Sequence, residues 1–384
     1  MDRRLFLQGC AATSALSATA MHGKPTKQTH DSGSSEELFP ANGALLPDEG
    51  WNLWIDQQAT WKDDPIYLPE TFDLSRLPVN APTGGWSSLD SHRNDPNSAI
   101  VTLPSTVEQH FWSRFGSRSY TPEEYRYAAD DPTPQNGAYE GVSWWWREID
   151  IPASMQRQRI LLQVRGARMR AEVYLNEKLV GYSIMEELPF ECDLTEAAHP
   201  GGKNRLAIRI TNPGGRYDWV DGTTITWGDV NVYRSHEFGG LDRGITLQAV
   251  PRSGRIADAW VLNTPNARTI TAHASLEGSE TEAPLFEVID PSTGKVLAHT
   301  TGELSKASDN QPRIMEAKLN CPSARLWDLA TPVLYHLRTT LTTHDGQKDV
   351  RTIPFGFRWF APEGLGSNAL FRLNGRRIKV YSSI

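Results

Sequence analysis

Leu206-Ala207-Ile208-Arg209-Ile210 alternates apolar and polar side chains at a period of two, the pattern of a half-buried β-strand. Ala171-Glu172-Val173-Tyr174-Leu175 continues this pattern before a turn at Asn176-Glu177. Ile160-Leu161-Leu162-Gln163-Val164 is a more continuous apolar run, which indicates a more fully buried strand of an inner sheet. Together these stretches predict a β-sandwich.

A second segment with strand patterns begins near Pro251. It contains predicted strands around residues 270–276, 285–289 and 334–341, and a turn at Pro291-Ser292-Thr293-Gly294. A segment of about 100 residues with this pattern fits an immunoglobulin-like sandwich. Helix-forming patterns are scarce along the chain, so the sequence predicts an all-β protein.

The cysteines do not form a disulfide framework. Cys192 and Cys321 lie far apart in the sequence and are expected in different domains. An oxidising compartment would permit a bridge, but two buried free thiols are the favoured prediction.

Length and charge exclude several classes of protein. The 384 residues suffice for two or three domains. The 39 basic and 46 acidic side chains give a net charge of −7, so there is no basic surface to indicate nucleic-acid binding. No apolar run approaches the roughly 18 residues that span a bilayer. We expect neither a nucleic-acid partner nor a transmembrane segment.

The N-terminus resembles an export signal. Arg3-Arg4-Leu5-Phe6-Leu7 is a twin-arginine start, and a mildly apolar stretch rich in small residues follows it through Ala20. This predicts export to the periplasm or the extracellular space; two chance arginines in an irregular start are the alternative. Leu7-Gln8-Gly9-Cys10 also resembles a lipoprotein cleavage box, which leaves lipidation as a further alternative. Residues 21–43 are polar and read as a linker.

Several stretches together resemble the sugar-binding domain of family 2 glycoside hydrolases. Trp144-Trp145-Trp146-Arg147-Glu148-Ile149-Asp150-Ile151-Pro152 resembles its aromatic-Trp-Arg-x-x-x-x-Pro strand. Residues 170–177 resemble its Ala-x-Val-Tyr-hydrophobic-Asn-Gly hairpin, residues 189–206 its next strand and Gly-x-Asn-x-Leu return, and residues 239–245 its closing Gly-Gly-Ile-x-Arg-x-Val. Glu177 stands where this hairpin usually has Gly, so we expect a loop of different shape.

The second segment carries the resemblance further. Leu326-Trp327-Asp328-Leu329-Ala330-Thr331-Pro332-Val333-Leu334-Tyr335 is similar to the family's Leu-Trp-x-x-x-x-Pro-x-Leu-Tyr motif. Phe355-Gly356-Phe357-Arg358, followed by Phe371-Arg372-Leu373-Asn374-Gly375, resembles the approach to the family's third domain. Residues 371–378 are expected to form a hairpin.

The resemblance implies a fold and a division into domains. We predict an all-β chain in which a galactose-binding-like jelly-roll β-sandwich precedes an immunoglobulin-like β-sandwich. The expected boundaries are an export signal and linker at 1–44, the jelly roll at 45–250, the immunoglobulin-like domain at 251–360, and a truncated start of a (β/α)₈ barrel at 361–384.

The resemblance also implies the chemistry of retaining β-glycosidases, which include β-galactosidases, β-glucuronidases and β-mannosidases. That reaction needs two carboxyl groups about 5–5.5 Å apart. In the family both are glutamates of the (β/α)₈ barrel, which takes roughly 250 residues, whereas nine residues follow Gly375. We therefore predict that this chain contains no catalytic residue.

A Trp- and Asp-rich loop at residues 217–233 is the candidate sugar contact. In the family this loop reaches towards the sugar pocket of the barrel, where a Trp face suits a pyranose and carboxylates accept hydroxyl hydrogen bonds. Packing of the Trp side chains on the jelly-roll core is the alternative. The candidate substrate-binding residues are Asp218, Trp219, Asp221, Trp227 and Asp229.

The triple tryptophan has two interpretations. Period two places Trp144 and Trp146 on one face of the strand and Trp145 on the other. Packing in the core is favoured over a binding platform. The ten histidines lack the spacing of a zinc site, and no phosphate-binding loop or Gly-x-Ser-x-Gly elbow is present. No metal and no cofactor is expected.

Three functions follow from this sequence. The leading hypothesis is the non-catalytic N-terminal portion of a family 2 glycoside hydrolase, truncated or split before a barrel that a separately encoded partner would supply. The alternative is a stand-alone carbohydrate-binding or adhesion module that uses loop 217–233. The third is an autonomous hydrolase with its site in the sandwich. Both leading hypotheses imply a carbohydrate ligand.

Overall fold

The computed structural model describes residues 43–61, 64, 73–111, 139, 141–185, 188–212, 224–227, 230–233, 238–278, 282–306, 313–364, 366 and 369–381. The predicted export signal and nearly all of the predicted linker lie outside these residues. Strands dominate the described part, as the sequence predicts. Within it, no helix has the length and apolar character needed to cross a bilayer.

The first domain is an antiparallel β-sandwich. A four-stranded sheet of order β1-β14-β6-β9 faces a six-stranded sheet of order β3-β2-β5-β10-β7-β8. The strands are β1 (Gly43–Leu45), β2 (Trp51–Asp56), β3 (Ser98–Val101), β4 (Ser105–Thr106), β5 (Gly141–Asp150), β6 (Arg159–Val164), β7 (Arg170–Leu175), β8 (Lys178–Ser183), β9 (Phe190–Asp193), β10 (Lys203–Asn212), β11 (Thr224–Trp227), β12 (Val230–Tyr233), β13 (Gly240–Leu241) and β14 (Ile245–Val250).

Helices in the described part are short. The α-helices are α1 (Ser88–Ser91) and α2 (Val107–Phe111), and three-residue to five-residue 3₁₀ turns lie at Leu74–Arg76, His92–Asn94 and Ala153–Arg157. They connect strands and add little to either sheet. The predicted jelly-roll sandwich is therefore confirmed.

The triple tryptophan packs on both faces of β5, as period two predicts. Trp145 joins the hydrophobic core between the two sheets, together with residues such as Leu162 and Ile208. Trp144 and Trp146 lie on the opposite face in a second hydrophobic cluster. All three indole side chains are fully buried. The expected core role is confirmed, and a binding platform is not formed.

The prediction of a half-buried β10 is wrong. Residues 206–212 of this strand are buried on both faces. β7, which pairs with β10, is also buried throughout. The reason is tertiary: a layer of aromatic side chains and a group of charged side chains cover the outer face of the six-stranded sheet. A period-two pattern reports only which residues share a face, not whether another element covers that face.

The expectation of a differently shaped loop at Asn176-Glu177 is also wrong. Asn176 has φ of 49° and Glu177 has φ of 71°, so both central residues are left-handed, as a type I′ hairpin turn requires. Asn176 stabilises the turn through hydrogen bonds from its Nδ2 to the Ala197 carbonyl and to Asn204 Oδ1, both 2.8 Å. Glu177 thus adopts a backbone conformation that normally favours Gly.

The second domain is a sandwich of two four-stranded antiparallel sheets, of order β15-β16-β20-β19 and β18-β17-β21-β22. This confirms the immunoglobulin-like fold. The strands are β15 (Arg255–Asn263), β16 (Thr269–Glu277), β17 (Leu285–Asp290), β18 (Lys295–Thr301), β19 (Glu303–Lys306), β20 (Arg313–Asn320), β21 (Tyr335–Thr342) and β22 (Lys348–Phe355).

The sequence located the strands of this domain well. The expected strands at 270–276, 285–289 and 334–341 correspond to β16, β17 and β21 within one or two residues at each end. The expected turn at Pro291–Gly294 joins β17 to β18, with Gly294 at φ of 68°. Cys192 and Cys321 are free and buried, in separate hydrophobic clusters, as predicted.

A small third sheet follows the immunoglobulin-like domain. It contains β23 (Phe360–Glu363), β24 (Leu370–Leu373) and β25 (Arg376–Arg377). β24 and β25 form the expected hairpin around Asn374-Gly375, whose residues both have positive φ. Asn374 joins this sheet to the preceding domain, because its Nδ2 donates to the Trp327 carbonyl at 2.9 Å.

Candidate functional site

The outer face of the six-stranded sheet holds four charged side chains that we call the outer network: Arg170, Glu172, Arg209 and Asp64. Arg170 and Glu172 lie two residues apart on β7, and Glu172 is directly opposite Arg209 on β10. The Arg209 guanidinium lies 2.6 Å from Glu172 Oε2, and the Arg170 guanidinium lies 3.2 Å from Glu172 Oε1. Period two and strand register together therefore place three charges in contact.

A loop residue completes this network. Asp64 contacts Arg170 at 2.8 Å and Arg209 at 3.5 Å. Asn80 donates from Nδ2 to Glu172 Oε1 at 2.7 Å, and Arg209 also donates to the Thr60 carbonyl at 3.1 Å. Side chains from the two central strands and from the loops that cross them are thus held by a common set of hydrogen bonds.

An aromatic layer packs beside the outer network, in which Arg170, Glu172 and Arg209 are buried and Asp64 is partly exposed. Trp86 contacts the edges of Trp144 and Tyr174, with ring centroids 5.6 and 5.0 Å apart. The Trp144 indole donates to Asp56 Oδ2 at 3.3 Å. The Tyr174 hydroxyl accepts a hydrogen bond from the backbone N–H of Asn80 at 3.1 Å. Such a layer excludes water and strengthens the charge pairs beneath it.

The contacts of the outer network indicate a structural role. Burial opposes the charge of Arg170, but Glu172, Tyr182 and Asp64 raise its pKa above the ordinary value. Two guanidinium groups and two carboxylates balance one another, and each carboxylate is engaged by arginine.

Glu108 on α2 is a different kind of buried carboxyl group. Its side chain is 3% exposed, and Oε1 accepts a hydrogen bond from the Tyr139 amide at 2.9 Å. Burial raises its pKa to about 7, and backbone hydrogen bonds only partly oppose this shift. A group with this pKa can exchange a proton near neutral pH. Retaining glycoside hydrolysis, however, needs two carboxyl groups, and the hydrogen bond to Glu108 Oε1 comes from a backbone amide.

The candidate sugar-binding residues fall mostly outside the described part of the chain. Asp218, Trp219, Asp221 and Asp229 lie there, as does the side chain of Trp227, whose backbone ends β11. Their role in sugar contact stays a prediction. In the described part, no cluster of three or more His, Cys, Asp or Glu side chains could hold a metal ion.

The loop around Leu329 and the small third sheet present exposed apolar side chains, which we call the terminal surface. Leu329 is 72% exposed, and Phe360 and Phe371 stack on each other with about half of each side chain exposed. A cavity of about 420 Å³ lies between the loop around Leu329 and the β24–β25 hairpin, and Arg376 and Arg377 line it. Exposed patches of this kind are typical of protein–protein contact sites.

Sequence reasoning missed the outer network, although a signal was present. Arg170 and Glu172 interrupt an otherwise apolar strand at a spacing of two, and Arg209 interrupts a second strand. Opposite charges inside apolar strands indicate buried pairing, because unpaired charges are almost never fully buried. Which strands pair, and in which register, could not be derived from the sequence.

The arrangement of the two domains agrees with comparisons to known proteins. Residues 69–251 match the family described as glycosyl hydrolases family 2, sugar binding domain, and residues 256–358 match glycosyl hydrolases family 2. Together these matches cover most of the chain. The protein therefore belongs to glycoside hydrolase family 2, and it comprises the sugar-binding and immunoglobulin-like domains of that family.

Sequence comparison finds relatives that are named as β-glucuronidases and relatives that are named as β-galactosidases. A putative beta-glucuronidase of Formosa agariphila is 25% identical over 370 residues, which cover 92% of this chain and 39% of the relative. A beta-glucuronidase of Mus musculus is 25% identical and covers 64% of this chain and 39% of the relative. A beta-galactosidase of Bacteroides ovatus is also 25% identical, over 62% of this chain and 27% of the relative. The chain spans about two fifths or less of these proteins.

Solved structures share the fold. A β-glucuronidase from Ruminococcus gnavus in complex with D-glucuronic acid superposes with a TM-score of 0.55 at 19% identity, over 89% of this chain and 50% of that chain. A family 2 member from Bacteroides cellulosilyticus superposes with a TM-score of 0.57 at 17% identity, over 88% of this chain and 38% of that chain. At these identities the likeness concerns the fold alone.

Proposed function

We propose that this chain supplies the non-catalytic scaffold of a family 2 β-glycosidase, on which a catalytic barrel packs. The observation that carries the proposal is the terminal surface, where Phe360 and Phe371 are stacked and exposed. The exposed Leu329 lines a cavity together with Arg376 and Arg377. A barrel that covered this surface would remove its apolar side chains from water. The names of the relatives, β-glucuronidases and β-galactosidases, point to the same reaction class.

The catalytic carboxyl groups would belong to the barrel, which we propose to be a separately encoded partner. The buried acids described in the sandwiches support this division of roles. Glu172 is paired with two arginines, and Asp349 accepts the Ile256 amide at 2.7 Å. Glu108 Oε1 accepts a hydrogen bond from the Tyr139 backbone amide. The choice between glucuronide and galactoside would then be made mainly by barrel residues.

Activity assays with and without a barrel test this proposal. The purified chain should not cleave aryl-β-glucuronides or aryl-β-galactosides by itself. Addition of a family 2 barrel from a neighbouring reading frame should produce cleavage, and Phe371→Glu on this chain should weaken that complex in a pull-down or by calorimetry. Ile100→Glu, at a 75% exposed position of the first domain, is the matched control. Cleavage by the purified chain alone would contradict the proposal.

A stand-alone carbohydrate-binding module is the second candidate function. The family match of residues 69–251, described as a sugar-binding domain, favours it. In this case the segment 217–233, which the sequence predicted to be a loop but which contains the β11–β12 hairpin, contacts the sugar. Trp219 and Trp227 would lie against the pyranose face, and Asp218, Asp221 and Asp229 would accept hydroxyl hydrogen bonds. Saturable binding to a glycan panel that Trp219→Ala abolishes would support it. Binding that is unchanged in this variant would reject the loop as the site.

We also propose export through the twin-arginine pathway, on the basis of Arg3 and Arg4. Fusion of residues 1–44 to a reporter should direct it out of the cytoplasm, and Arg3→Lys/Arg4→Lys should retain it. Cys10→Ala separates lipidation from simple export, because only a lipoprotein loses its membrane association in that variant. Export that does not depend on the two arginines would exclude this pathway.

A further inference from the structure

Five charged side chains alternate in sign across the boundary between the two sandwiches, and we call them the interdomain ladder. In order of contact they are Asp193, Arg159, Glu277, Arg255 and Glu191. Three of them come from β6 and β9 of the jelly roll, and two come from β15 and β16 of the immunoglobulin-like domain. The ladder therefore connects strands of two different cores.

Arg255 is the centre of the interdomain ladder. Its Nε and Nη2 donate to the two carboxylate oxygens of Glu277 at 2.8 and 2.9 Å, within its own domain. Its Nη1 and Nη2 donate to Glu191 at 2.7 and 2.8 Å, across the boundary. The side chain is only 10% exposed. Bidentate contacts of this kind are stronger and more directional than ordinary surface pairs.

Arg159 provides the second crossing. Its Nε donates to Asp193 at 2.7 Å within the jelly roll, and its Nη1 donates to Glu277 at 3.2 Å in the other domain. Glu277 thus receives hydrogen bonds from an arginine of each domain. The hydrogen bonds from Arg255 hold the pKa of Glu277 below its ordinary value. Burial would raise the pKa of Asp193, but hydrogen bonds from Thr195 and Arg159 outweigh burial and lower it.

In the described part of the chain, no hydrophobic cluster spans the boundary that the interdomain ladder crosses. The main jelly-roll cluster contains residues between Leu46 and Leu247, and the immunoglobulin-like cluster contains residues between Ile256 and Phe357. No described hydrophobic cluster has members in both domains. Four residues, 251–254, connect β14 to β15. Two domains joined by a short linker without a shared apolar core are expected to move relative to each other.

We propose that the interdomain ladder is the joint that fixes the immunoglobulin-like domain on the jelly roll. Its two crossing contacts, Arg255 to Glu191 and Arg159 to Glu277, set one orientation of the domains. Without them, the linker at 251–254 acts as a hinge. The inference does not depend on the proposed function, because it concerns only the relation of the two sandwiches.

Glu191→Gln is the sharpest test, since it removes one charge of the crossing pair and leaves the Arg255–Glu277 contact inside its own domain. The full chain should show a broader distribution of interatomic distances in small-angle X-ray scattering. Calorimetry should show one unfolding transition for the unmodified chain and two for this variant. Added salt should also broaden the distance distribution of the unmodified chain and separate its unfolding into two transitions. The salt concentration that does so should be lower than the concentration that affects the core of either domain.

Glu287→Gln is the matched control, because Glu287 pairs with Arg338 at 2.8 Å entirely within the immunoglobulin-like domain. It should leave the scattering profile and the single transition unchanged. Arg159→Gln is the second variant and removes the other crossing contact. Near-ultraviolet circular dichroism identifies any variant that has simply unfolded. Folded Glu191→Gln and Arg159→Gln chains with unchanged scattering and one transition would overturn the proposal.

Discussion

The outward faces of two central strands, one in each domain, look alike in sequence and differ in the folded protein. In the jelly roll, β10 is buried on both faces from residue 206 to residue 212. In the immunoglobulin-like domain, β21 alternates strictly between buried and partly exposed residues. Because the strand patterns are similar, the difference comes from what covers each sheet. Aromatic side chains and the outer network cover the first, and solvent reaches the second.

The first prediction compares both faces of β5 with the open face of β21. Trp144→Ala and Trp145→Ala should each reduce the free energy of unfolding by about 3–5 kcal/mol, because both indoles are fully buried although they lie on opposite faces. Thr340→Ala on the partly exposed face of β21 should change it by less than about 0.5 kcal/mol. Urea unfolding measures all three. A much smaller loss for Trp144→Ala would mean that the outer layer is not a second core.

The second prediction compares the buried charges of the outer network with a partly exposed ion pair of the second domain. Glu172→Ala leaves Arg170 and Arg209 buried without their carboxylate and should cost about 3–5 kcal/mol. The triple variant Arg170→Met/Glu172→Leu/Arg209→Met should lose less, because no buried charge is left on either strand. Glu287→Ala in the second domain should cost less than about 1 kcal/mol, since its partner Arg338 is 41% exposed. Equal losses for Glu172 and Glu287 in chemical unfolding would remove this distinction.

The third prediction compares two buried carboxyl groups by pH. The pKa of Glu108 is about 7 in the folded chain and 4.5 when unperturbed, so the folded state retains a proton that the unfolded chain releases. The contribution of Glu108 to stability is therefore complete below pH 4.5 and falls as pH rises to about 7. The loss over this window is on the order of 3 kcal/mol. Burial also raises the pKa of Asp349, but Arg255 and Arg351 oppose that shift.

Urea unfolding between pH 4.5 and 8 measures this effect. Glu108→Gln should remove the corresponding slope from the dependence of stability on pH, because glutamine does not titrate. Asp349→Asn should change that dependence less, since two guanidinium groups stabilise the charged form of Asp349. If both variants kept the slope of the unmodified chain, the environment assigned to Glu108 would be incorrect.

The fourth and smallest effect concerns two hairpin turns with the same backbone. Both residues have positive φ in the turn Asn176-Glu177 and in the turn Asn374-Gly375, but only the Asn374-Gly375 turn contains Gly. Glu177→Gly should stabilise the chain by about 0.5–1 kcal/mol, because relief of the left-handed strain exceeds the greater freedom of Gly in the unfolded chain. Gly375→Glu should destabilise it by a similar amount. Thermal unfolding of both variants tests whether the two turns are equivalent.

The sequence was a good guide to the strands but a poor guide to their surroundings. The positions of β16, β17 and β21 and the division of the tryptophans between two faces of β5 followed from period two, which depends on local geometry alone. The double burial of β10 did not follow, because the covering residues come from loops far away in the sequence. Asn80 and Asp64, for example, reach a network whose centre is Glu172.

By itself, the sequence of this protein determined an all-β chain, its two sandwiches, and its membership of family 2 through motifs spread over both domains. Strand periodicity and turn chemistry are local, so they can be read along the chain. Only the tertiary structure decided which charges meet. The register of β7 on β10 formed the outer network, and the contact of the two sandwiches formed the interdomain ladder. Charge pairing depends on distances of a few ångströms between distant residues, and only the folded arrangement sets those distances.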